Sequence, residues 1–551
     1  MINLKDIDNK EYIIKEFFEW LFDDTRIIDK NIELQNEIDL SLAPFYMDPN
    51  IYYPKQISAF FESQPMQRLG RISQLSLAIN TFPNTYHNRL DHSKGTYNRK
   101  LEEMILNFEN PQWKKYIEEN NLKLYLIGDL FKMAGHDIGH FPLSHAFEEE
   151  IYHNHDAHEI IGQKIMLENK ELQNIFNNIS PSLPDIMKEL YKKDILNFTI
   201  HDTGNYDVDR LDYLSRDSLY LGIPQELHTL PYKTISVKTD FLNNPLLSED
   251  FSIIQSDAGN SFIDVYDYSS LEPIENLLEL RYSLYPNCYM SKSTKASECA
   301  IGTFLKALLS TSSTYGKDLK DFISKIQCVH IEDTDLSEFL KWDDIKLYEQ
   351  IIEIAEKHED ANIRDLATMV IPNMESFLNM LYSHLNLHNS AEISDKDLAF
   401  LKKIKHIIRS NSEFSKNLRN PNFILENTLF NETNCLIPNN DIFCTFSYRL
   451  RGYSKKSPIY VENKDGQIYE LSKHPERKCD WDEKSTQLQV QCTYLPFLRF
   501  SGMSETYIDK LKKEFSTKDY PDLETVANYP IKLNMQPLQV GHNIEDTFLE
   551  L

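Results

Sequence analysis

Residues 124–150, LYLIGDLFKMAGHDIGHFPLSHAFEEE, join an apolar helical pattern to a cluster of histidines and acids. Leu126, Leu130, Ala134 and Asp137 recur at steps of three and four residues, which is the spacing of a buried helix stripe. The pattern predicts a helix that carries the carboxylate of Asp137 on its inner face. Because a buried aspartate keeps its charge only beside a cation or several donors, the stretch predicts a polar site inside a helical core.

The histidines of the chain are distributed unevenly. Eight of the 17 lie between residues 87 and 158. These eight are His87, His92, His136, His140, His145, His153, His155 and His158. The clustering indicates one site, although the His-Asp dipeptide alone is weak evidence because it occurs three times. His140 would share a helix face with His136 if the helix continued through Gly139.

A metal ion held by imidazoles and carboxylates needs ligands from several segments. HNRLDHSKG (residues 87–95) offers His92, and NYDVDRLDYLSRDSLYLGIP (residues 205–224) offers Asp207, Asp209, Asp212 and Asp217. Helical spacing places on one face Asp209, Asp212 or Tyr213, and Arg216 or Asp217. A catalytic metal centre is the favoured interpretation. A hydrogen-bonded core network and, for the second segment, a solvated charged helix are the alternatives.

Composition limits the class of protein. With 551 residues, 41% of them apolar, the chain can bury one large or two ordinary cores. Seven cysteines without a CxxC pair argue against a disulfide framework and a thiolate zinc site, which favours a reducing compartment. The charged N-terminus and the lack of a long apolar run predict a cytoplasmic protein without a membrane partner. The net charge of −27 makes nucleic acid an unexpected partner, while a local basic pocket for a small polyanion stays open.

The predicted fold class is mainly α, with a helical core and a helical and partly β C-terminal region. Helical spacing recurs along the chain, including residues 400–409, whereas PIYVENKDGQIYELS predicts a hairpin at Asp465-Gly466 and TQLQVQCTYLPFLRF has β-like content. The segments KHED (residues 357–360) and HLNLH (residues 384–388) are expected to carry lone histidines on helix surfaces. The predicted divisions are an N-terminal helical segment (1–50), a core (51–310), a helical region (311–430) and a mixed α/β region (431–551). We expect the last region to serve regulation or assembly into a homo-oligomer, whether dimer, tetramer or hexamer.

Five segments, in order, resemble the HD-domain phosphohydrolases and, among them, the deoxynucleoside triphosphate (dNTP) triphosphohydrolases. The segments are QRLGRISQLSLAINTFPNTYHNRLDHSKG, AGHDIGHFPLSHAFE, HEIIG, DVDRLDYLSRDSLYLGI and LRYSLYPNCY. The resemblance spans roughly residues 64–306. It implies that the predicted core, residues 51–310, is an HD-domain helical core of the phosphohydrolase type. It also implies a mainly α-helical enzyme that hydrolyses a dNTP to deoxynucleoside and inorganic triphosphate.

The resemblance also implies roles for individual residues. The implied metal ligands are His92, His136, Asp137 and Asp209. The implied catalytic residues are His140, His145, Glu148 and His158, with His145 the first candidate for the acid that protonates the leaving oxygen and His158 the second. The implied phosphate-binding residues are Arg89, Arg210 and Arg281. The residues implied to line the sugar and base are Gln74, Leu75, Tyr213, Asp217 and Tyr289, with Asp217 at the 3′-hydroxyl.

Two positions depart from the family pattern. Tyr285 stands where the vertebrate member of the family has a histidine, which leaves the base or sugar preference open. Lys94 stands where the family usually has an apolar residue. No segment resembles the sterile alpha motif that the vertebrate enzyme carries.

Ligand type restricts the metal. Two imidazoles with two carboxylates suit Mn, Fe, Co, Ni or Zn, and leave room for Mg as a second, substrate-bridging ion. Two alternatives to a dNTPase stay open: an HD phosphohydrolase for an alarmone or a cyclic dinucleotide, and a catalytically silent nucleotide sensor. Arg281 and Tyr289 favour the triphosphate substrate, because they belong to the triphosphate-site pattern rather than to the bare HD core.

Overall fold

The computed structural model of the chain describes fourteen ranges of residues. They are 7–38, 50–108, 111–151, 157–192, 207–223, 234–238, 262–266, 268–289, 291–328, 334–371, 384–388, 443–449, 459–481 and 488–494. The helical pattern at residues 400–409 and the histidines at 153 and 155 lie outside these ranges.

The described part of the chain is mainly helical, which confirms the predicted fold class. The helices are α1 Ile7–Phe22, α2 Lys55–Glu62, α3 Gln64–Leu69, α4 Arg89–Phe108, α5 Pro111–Glu119, α6 Lys123–Ala134, α7 Ser144–Ile151, α8 Ala157–Glu168, α9 Lys170–Ile179, α10 Leu183–Lys192, α11 Val208–Tyr220, α12 Leu271–Leu284, α13 Lys292–Leu309, α14 Lys317–Cys328, α15 Leu336–Phe339, α16 Asp344–Lys357 and α17 Ala361–Val370. A π-helical turn, Tyr285–Tyr289, follows α12.

Side-chain caps fix where two important helices begin. Asp207 precedes α11 and accepts a hydrogen bond from the backbone N–H of Arg210. Asp343 precedes α16 and accepts one from the backbone N–H of Lys346. Each cap satisfies one of the N–H groups that a helix start leaves unpaired, so the acids define the register of both helices.

One large apolar cluster holds most of the helices together. It includes Ile127 and Phe131 of α6, Ile165 of α8, Phe304 of α13 and Ile351 of α16, all fully buried. The cluster therefore continues across residue 310, where the sequence predicts a division. The predicted divisions themselves stay predictions.

The strands form three small sheets in the described residues. They are β1 Leu34–Ile38, β2 Asn50–Pro54, β3 Thr234–Lys238, β4 Phe262–Tyr266, β5 His384–His388, β6 Phe443–Arg449, β7 Tyr460–Glu462, β8 Ile468–Glu470 and β9 Leu488–Tyr494. The sheet orders are β1-β2, β3-β4-β7-β8 and β5-β9-β6, and every pair is antiparallel except β4 with β7. The β7–β8 pair confirms the hairpin predicted at Asp465-Gly466.

A second apolar cluster joins α11 and α12 to the segment that carries this hairpin. It contains Leu214 of α11, Leu278 of α12 and the fully buried Trp481. The indole N–H of Trp481 donates to Glu275 Oε1 at 2.9 Å. The C-terminal segment therefore supports α12, the helix that carries Arg281.

Three local expectations are wrong. Helix α6 ends at Ala134 because residues 135–139 form a turn, so Asp137 does not lie on the helix that was predicted to carry it. The condition under which His136 and His140 would share a helix face is therefore not met. His358, expected on a helix surface, is buried at the end of α16. The HLNLH segment, also expected to be helical, forms β5.

No helix in the described ranges combines the length and apolar character that crossing a membrane requires.

The turn after α6 packs directly on the backbone of α8. A Cβ atom added at Gly139 would lie 2.1 Å from the carbonyl oxygen of His158 and 2.3 Å from the backbone nitrogen of Gly162. Backbone atoms cannot rotate away from such a contact. Glycine at 139 is therefore a condition for the turn to lie against α8.

Gly139→Ala should lower the free energy of unfolding by about 1–3 kcal/mol, the cost of overpacking a core. Urea unfolding followed by circular dichroism measures it. Gly162→Ala is the matched control, because its Cβ would meet its nearest atom at 3.4 Å. The free energy of unfolding of that variant should be unchanged or should rise by up to about 1 kcal/mol, because alanine has a higher helix propensity than glycine. Equal destabilisation of both variants would contradict the close contact.

Candidate active site

His136 and Asp137 lie in the turn that follows α6. His136 Nδ1 donates to the carbonyl oxygen of Met133 at 2.7 Å. Because a carbonyl only accepts, Nδ1 carries the proton and Nε2 presents its lone pair. The end of the helix therefore orients His136 as a ligand.

His92 is oriented in the same way by a carboxylate from another helix. Its Nδ1 lies 2.9 Å from Asp212 Oδ2, and Asp212 also accepts from Arg216 Nε at 3.0 Å. Asp212 fits against α4 only because Gly95 lacks a Cβ, which would lie 1.9 Å from Asp212 Oδ1. Sequence reasoning placed Asp212 on the correct face but missed this orienting role. The i,i+4 pair with Arg216 was the available signal.

The structure brings the four predicted ligands together. Asp209 Oδ1 lies 3.0 Å from His92 Nε2 and 3.3 Å from His136 Nε2, and the two Nε2 atoms are 3.3 Å apart. Asp137 Oδ1 lies 3.3 Å from His136 Nε2, and Asp137 Oδ2 lies 3.7 Å from His92 Nε2. Atoms bound at right angles about 2.1 Å from one metal lie about 3 Å apart. The four side chains therefore fit one divalent metal ion, and their role as ligands stays a prediction.

The charged groups of this cluster shift one another's pKa. Burial lowers the pKa of His136, but Asp137 and Asp209 outweigh it and raise that pKa to about 10. Burial raises the pKa of Asp137, but Arg89, His136 and His140 outweigh it and hold that pKa well below its usual range. A proton on His136 and a metal ion would compete for the same lone pair. The cluster therefore attracts cations.

Arg89 contacts this cluster rather than lying apart as a phosphate ligand. It is buried, its Nη1 donates to Asp137 Oδ2, and its Nε donates to Ser144 Oγ at 2.7 Å. The guanidinium thus helps to fix the Asp137 carboxylate. Its predicted contact with phosphate stays a prediction.

A second cluster contains the four predicted catalytic residues, His140, His145, Glu148 and His158. Glu148 is fully buried, and its carboxylate lies 3.0 Å from His158 Nδ1 and 3.2 Å from His145 Nδ1. The rings of His140 and His158 stack at 4.0 Å, and His140 Nε2 lies 3.2 Å from Asp137 Oδ1. The His140 contact therefore joins the two clusters into one site.

The members of this second cluster differ in proton affinity. Burial raises the pKa of Glu148, but the two histidine partners outweigh it and lower that pKa to about 2. Burial lowers the pKa of His158, but Glu148 outweighs it and raises that pKa. Burial and the charges of Arg89 and His158 lower the pKa of His140 well below its usual value. The cluster thus pairs His158, whose pKa is raised so that it holds a proton more firmly than a free imidazole, with His140, which is neutral at neutral pH.

The residues predicted to line the sugar and base surround Asp217. Its Oδ2 accepts from the hydroxyl of Tyr289 at 2.7 Å, and the ring of Tyr289 lies 6.3 Å from that of Tyr213. Leu75 packs with Tyr289 in a small apolar cluster. The backbone N–H of Gln74 donates to the carbonyl oxygen of His87 at 3.0 Å.

His87 is a site residue to which sequence reasoning gave no role. Its Nε2 lies 2.7 Å from Asp217 Oδ1, and its ring stacks on Tyr220 at 4.2 Å. Its Nδ1 and the Oε1 atom of Gln74 are buried and have no hydrogen-bond partner among the described residues. Position in the histidine-rich segment was the only signal for His87.

The two other arginines predicted to bind phosphate, Arg210 and Arg281, lie near Tyr213. Arg210 pairs with Asp207, and the guanidinium of Arg281 lies 6.0 Å from the ring of Tyr285. Burial raises the pKa of the Tyr213 hydroxyl, and the charges of Arg281 and Arg210 oppose that shift, which places both near Tyr213.

Lys94 points elsewhere. Its Nζ donates to Glu37 Oε1 of β1 at 2.5 Å. This departure from the family pattern thus acts in packing between α4 and the β1–β2 sheet.

Known proteins resemble this chain in sequence and in fold. No protein-family model matches it. It is 27% identical over 310 residues to an HD domain-containing protein of Acanthamoeba polyphaga mimivirus, covering 53% of this chain and 59% of the relative. It is also 27% identical over 181 residues to a SAMHD1 homolog of Dictyostelium discoideum, a deoxynucleoside triphosphate triphosphohydrolase by name, covering 31% of this chain and 34% of the relative. The crystal structure of a phosphohydrolase from Bacteroides thetaiotaomicron superposes with a TM-score of 0.57 at 19% identity, covering 84% of this chain and 99% of that chain.

These likenesses support the broader prediction. The Bacteroides structure shows that the fold is shared, and the names of the relatives support an HD-domain phosphohydrolase. The cluster of His92, His136 and Asp209 is a candidate site for a divalent metal.

Asp137→Asn should remove the metal ion, because the substitution takes away a negative charge and offers an amide where the cluster needs a carboxylate. The affinity for the metal ion should fall by more than the roughly 10- to 100-fold that follows when a hydrogen-bond partner of a metal ligand is removed. Mass spectrometry of the metal content after dialysis measures it. Asp185→Asn, on the exposed Lys188 pair of α10, is the matched control and should retain full occupancy. An Asp137→Asn protein that keeps its metal would rule out the ligand assignment.

Proposed function

We propose that this chain is a metal-dependent HD-domain phosphohydrolase that converts a dNTP and water into a deoxynucleoside and inorganic triphosphate. One observation carries the proposal. The His/Asp cluster and the Glu148 cluster meet at the 3.2 Å contact between Asp137 and His140. The ring of Tyr213, one of the tyrosines near Asp217, lies 6.4 Å from that of His92. The candidate metal ligands, the candidate proton donors and the residues predicted to line the sugar thus adjoin one another.

His92, His136, Asp137 and Asp209 would hold the metal ion. Their donor set suits Mn, Fe, Co, Ni or Zn, with Mg as a second ion carried by the substrate. When bound, such a metal lowers the pKa of a water molecule and polarises a phosphoryl oxygen. The protein contributes the fixed geometry, since the Nδ1 atoms of both histidines are held by acceptors.

The Glu148 cluster would supply the proton for the leaving 5′-oxygen. The carboxylate accepts from Nδ1 of His145 and of His158, so both rings turn Nε2 away from Glu148. The side chain of His145 is 51% exposed, whereas His158 is mostly buried. His145 is therefore placed to reach the substrate, and His158 to hold a proton behind it.

Arg281 and Arg210 would bind the phosphates, and the residues around Asp217 would contact the nucleoside. Guanidinium groups match two phosphoryl oxygens at once. The unpartnered Gln74 Oε1 and His87 Nδ1 supply polar atoms for a ligand with its own donors and acceptors, such as a sugar or base. Assembly into a homo-oligomer stays a prediction, which light scattering would measure.

Product analysis tests the reaction directly. Each dNTP, incubated with purified protein and Mn²⁺ or Mg²⁺, should give deoxynucleoside and triphosphate in equal amounts on ion-exchange chromatography. Release of diphosphate or single phosphate groups would contradict the proposal. Hydrolysis of an alarmone or a cyclic dinucleotide while every dNTP stays intact would support the alternative phosphohydrolase.

Arg281→Ala should lower kcat/KM for a dNTP by about one to two decades, the effect of losing one charged hydrogen bond. A phosphate monoester should lose far less, because it lacks the outer phosphates. Arg26→Ala, which breaks an ion pair with Asp24 outside the site, is the control and should leave both values unchanged. Equal losses on the triphosphate and the monoester would contradict the role of Arg281.

A further inference from the structure

A segment beyond the region of family resemblance contacts two loops of the active site. Asp344, the first residue of α16, is 9% exposed. Its Oδ1 accepts from the backbone N–H of Leu143 at 2.7 Å, and its Oδ2 accepts from the backbone N–H of Ser73 at 2.8 Å. One carboxylate thus joins the loop before α7 to the loop before α4.

The loop before α7 needs such an external contact. Leu143 and Ser144 adopt φ angles of +56° and +52°, a region that non-glycine residues rarely occupy. Backbone strain of this kind persists only where surrounding contacts hold it in place. Ser76 Oγ donates to the carbonyl oxygen of Leu143 at 2.7 Å, so Asp344 and Ser76 hold opposite sides of the residue. His145 follows immediately.

The same turn also positions Arg89. Ser144 Oγ donates to the carbonyl oxygen of Ser73 at 3.0 Å and accepts from Arg89 Nε. Arg89 in turn donates to Asp137. A shift of the turn would therefore move His145 and Asp137 together.

Other contacts keep the segment docked independently of this carboxylate. Arg68, fully buried, donates from Nε to the carbonyl oxygen of Trp342 at 2.7 Å and from Nη2 to that of His140 at 2.6 Å. Asp343 accepts from Arg71 Nε at 2.6 Å, and the backbone N–H of Asp344 donates to the carbonyl oxygen of Arg71. Changing the Asp344 side chain alone should leave the segment in place.

We propose that Asp344 is a positioning residue, which holds the Leu143–Ser144 turn and thereby aims His145 and Arg89 at the reacting centre. Its kinetic test rests on the proposed function. The carboxylate touches neither a predicted metal ligand nor a predicted substrate-binding residue, so it acts through the loop. The chain beyond residue 310 therefore completes the active site.

The charge of Asp344 fits this role. Burial and the neighbouring Asp343 raise its pKa, while the two N–H groups and Arg68 lower it, and the result is a pKa of about 6. Above pH 7 the ionised carboxylate accepts both N–H groups. An asparagine there could accept only one of them and would turn its own NH₂ group towards the other.

Asp344→Asn in the full chain should lower kcat for the dNTP by about 100-fold, the usual effect of a displacement near 1 Å in a catalytic group. KM and metal content should change little. Asp343→Asn is the matched control: asparagine still caps α16, and the lost ion pair involves an Arg71 that is 41% exposed. Its kcat should stay within about twofold of the wild type.

Hydrogen exchange gives a readout that does not depend on the substrate. The backbone amide of Leu143 should exchange at least about tenfold faster in Asp344→Asn than in wild type or Asp343→Asn. If the wild-type protein hydrolyses no dNTP, the proposed function is wrong. Faster exchange in Asp344→Asn than in that wild type would still support the positioning role. Unchanged exchange together with unchanged kcat would overturn the positioning role.

A purely structural role has its own signature. A purely structural role would be shown if Asp344→Asn lowered the metal content, the thermal unfolding midpoint and kcat and also raised KM. That result would overturn the proposal. Asp344→Glu separates the cases further, because it keeps the carboxylate and moves it by one methylene. This variant should retain metal and show a kcat between those of wild type and Asp344→Asn.

Discussion

The whole site depends on keeping several carboxylates ionised within a helical interior. Asp137 and Asp212 are almost completely buried, and Asp209 lies within 3.3 Å of both cluster histidines. Burying such charges without partners would cost several kcal/mol each. Arg89 and Arg216 are buried beside them, which explains why these guanidinium groups lie inside the protein. The ligand atoms of His92, His136 and Asp209 lie close enough together to hold a divalent cation.

Acceptors behind the histidines give the site its precision. Carboxylates hold His92 and His158 at Nδ1, and a helix-end carbonyl holds His136. Each bond selects one tautomer and restricts rotation of the ring, so the ligand or proton-transfer atom points in one direction before anything binds. Metal binding and proton transfer would therefore require little rearrangement.

Local periodicity explains which parts of this arrangement the sequence could predict. Spacing along α6 and α11 reports the buried face of each helix and predicts a polar core that holds Asp137 and Asp209, although Asp137 lies in the turn just past the end of α6. Periodicity does not report what lies opposite that face. The pairing of Arg89 with Asp137, the burial of His358 and the strand at residues 384–388 depend on contacts with distant parts of the chain. For the same reason no local pattern marked Asp344 for its role, and the local signals at His87 and Asp212 did not identify the partners of those side chains.

The bond between Asp344 and Leu143 joins residues 201 positions apart along the chain. During translation, α4, α6 and α7 leave the ribosome long before α16 does. A nascent chain that already contains every predicted metal ligand would still lack the carboxylate that sets the turn before α7. On the proposed hydrolysis of dNTPs and the proposed role of Asp344, catalytic competence arrives late in synthesis, and unfinished or prematurely terminated polypeptides would not deplete the deoxynucleotide pool of the cell that makes them.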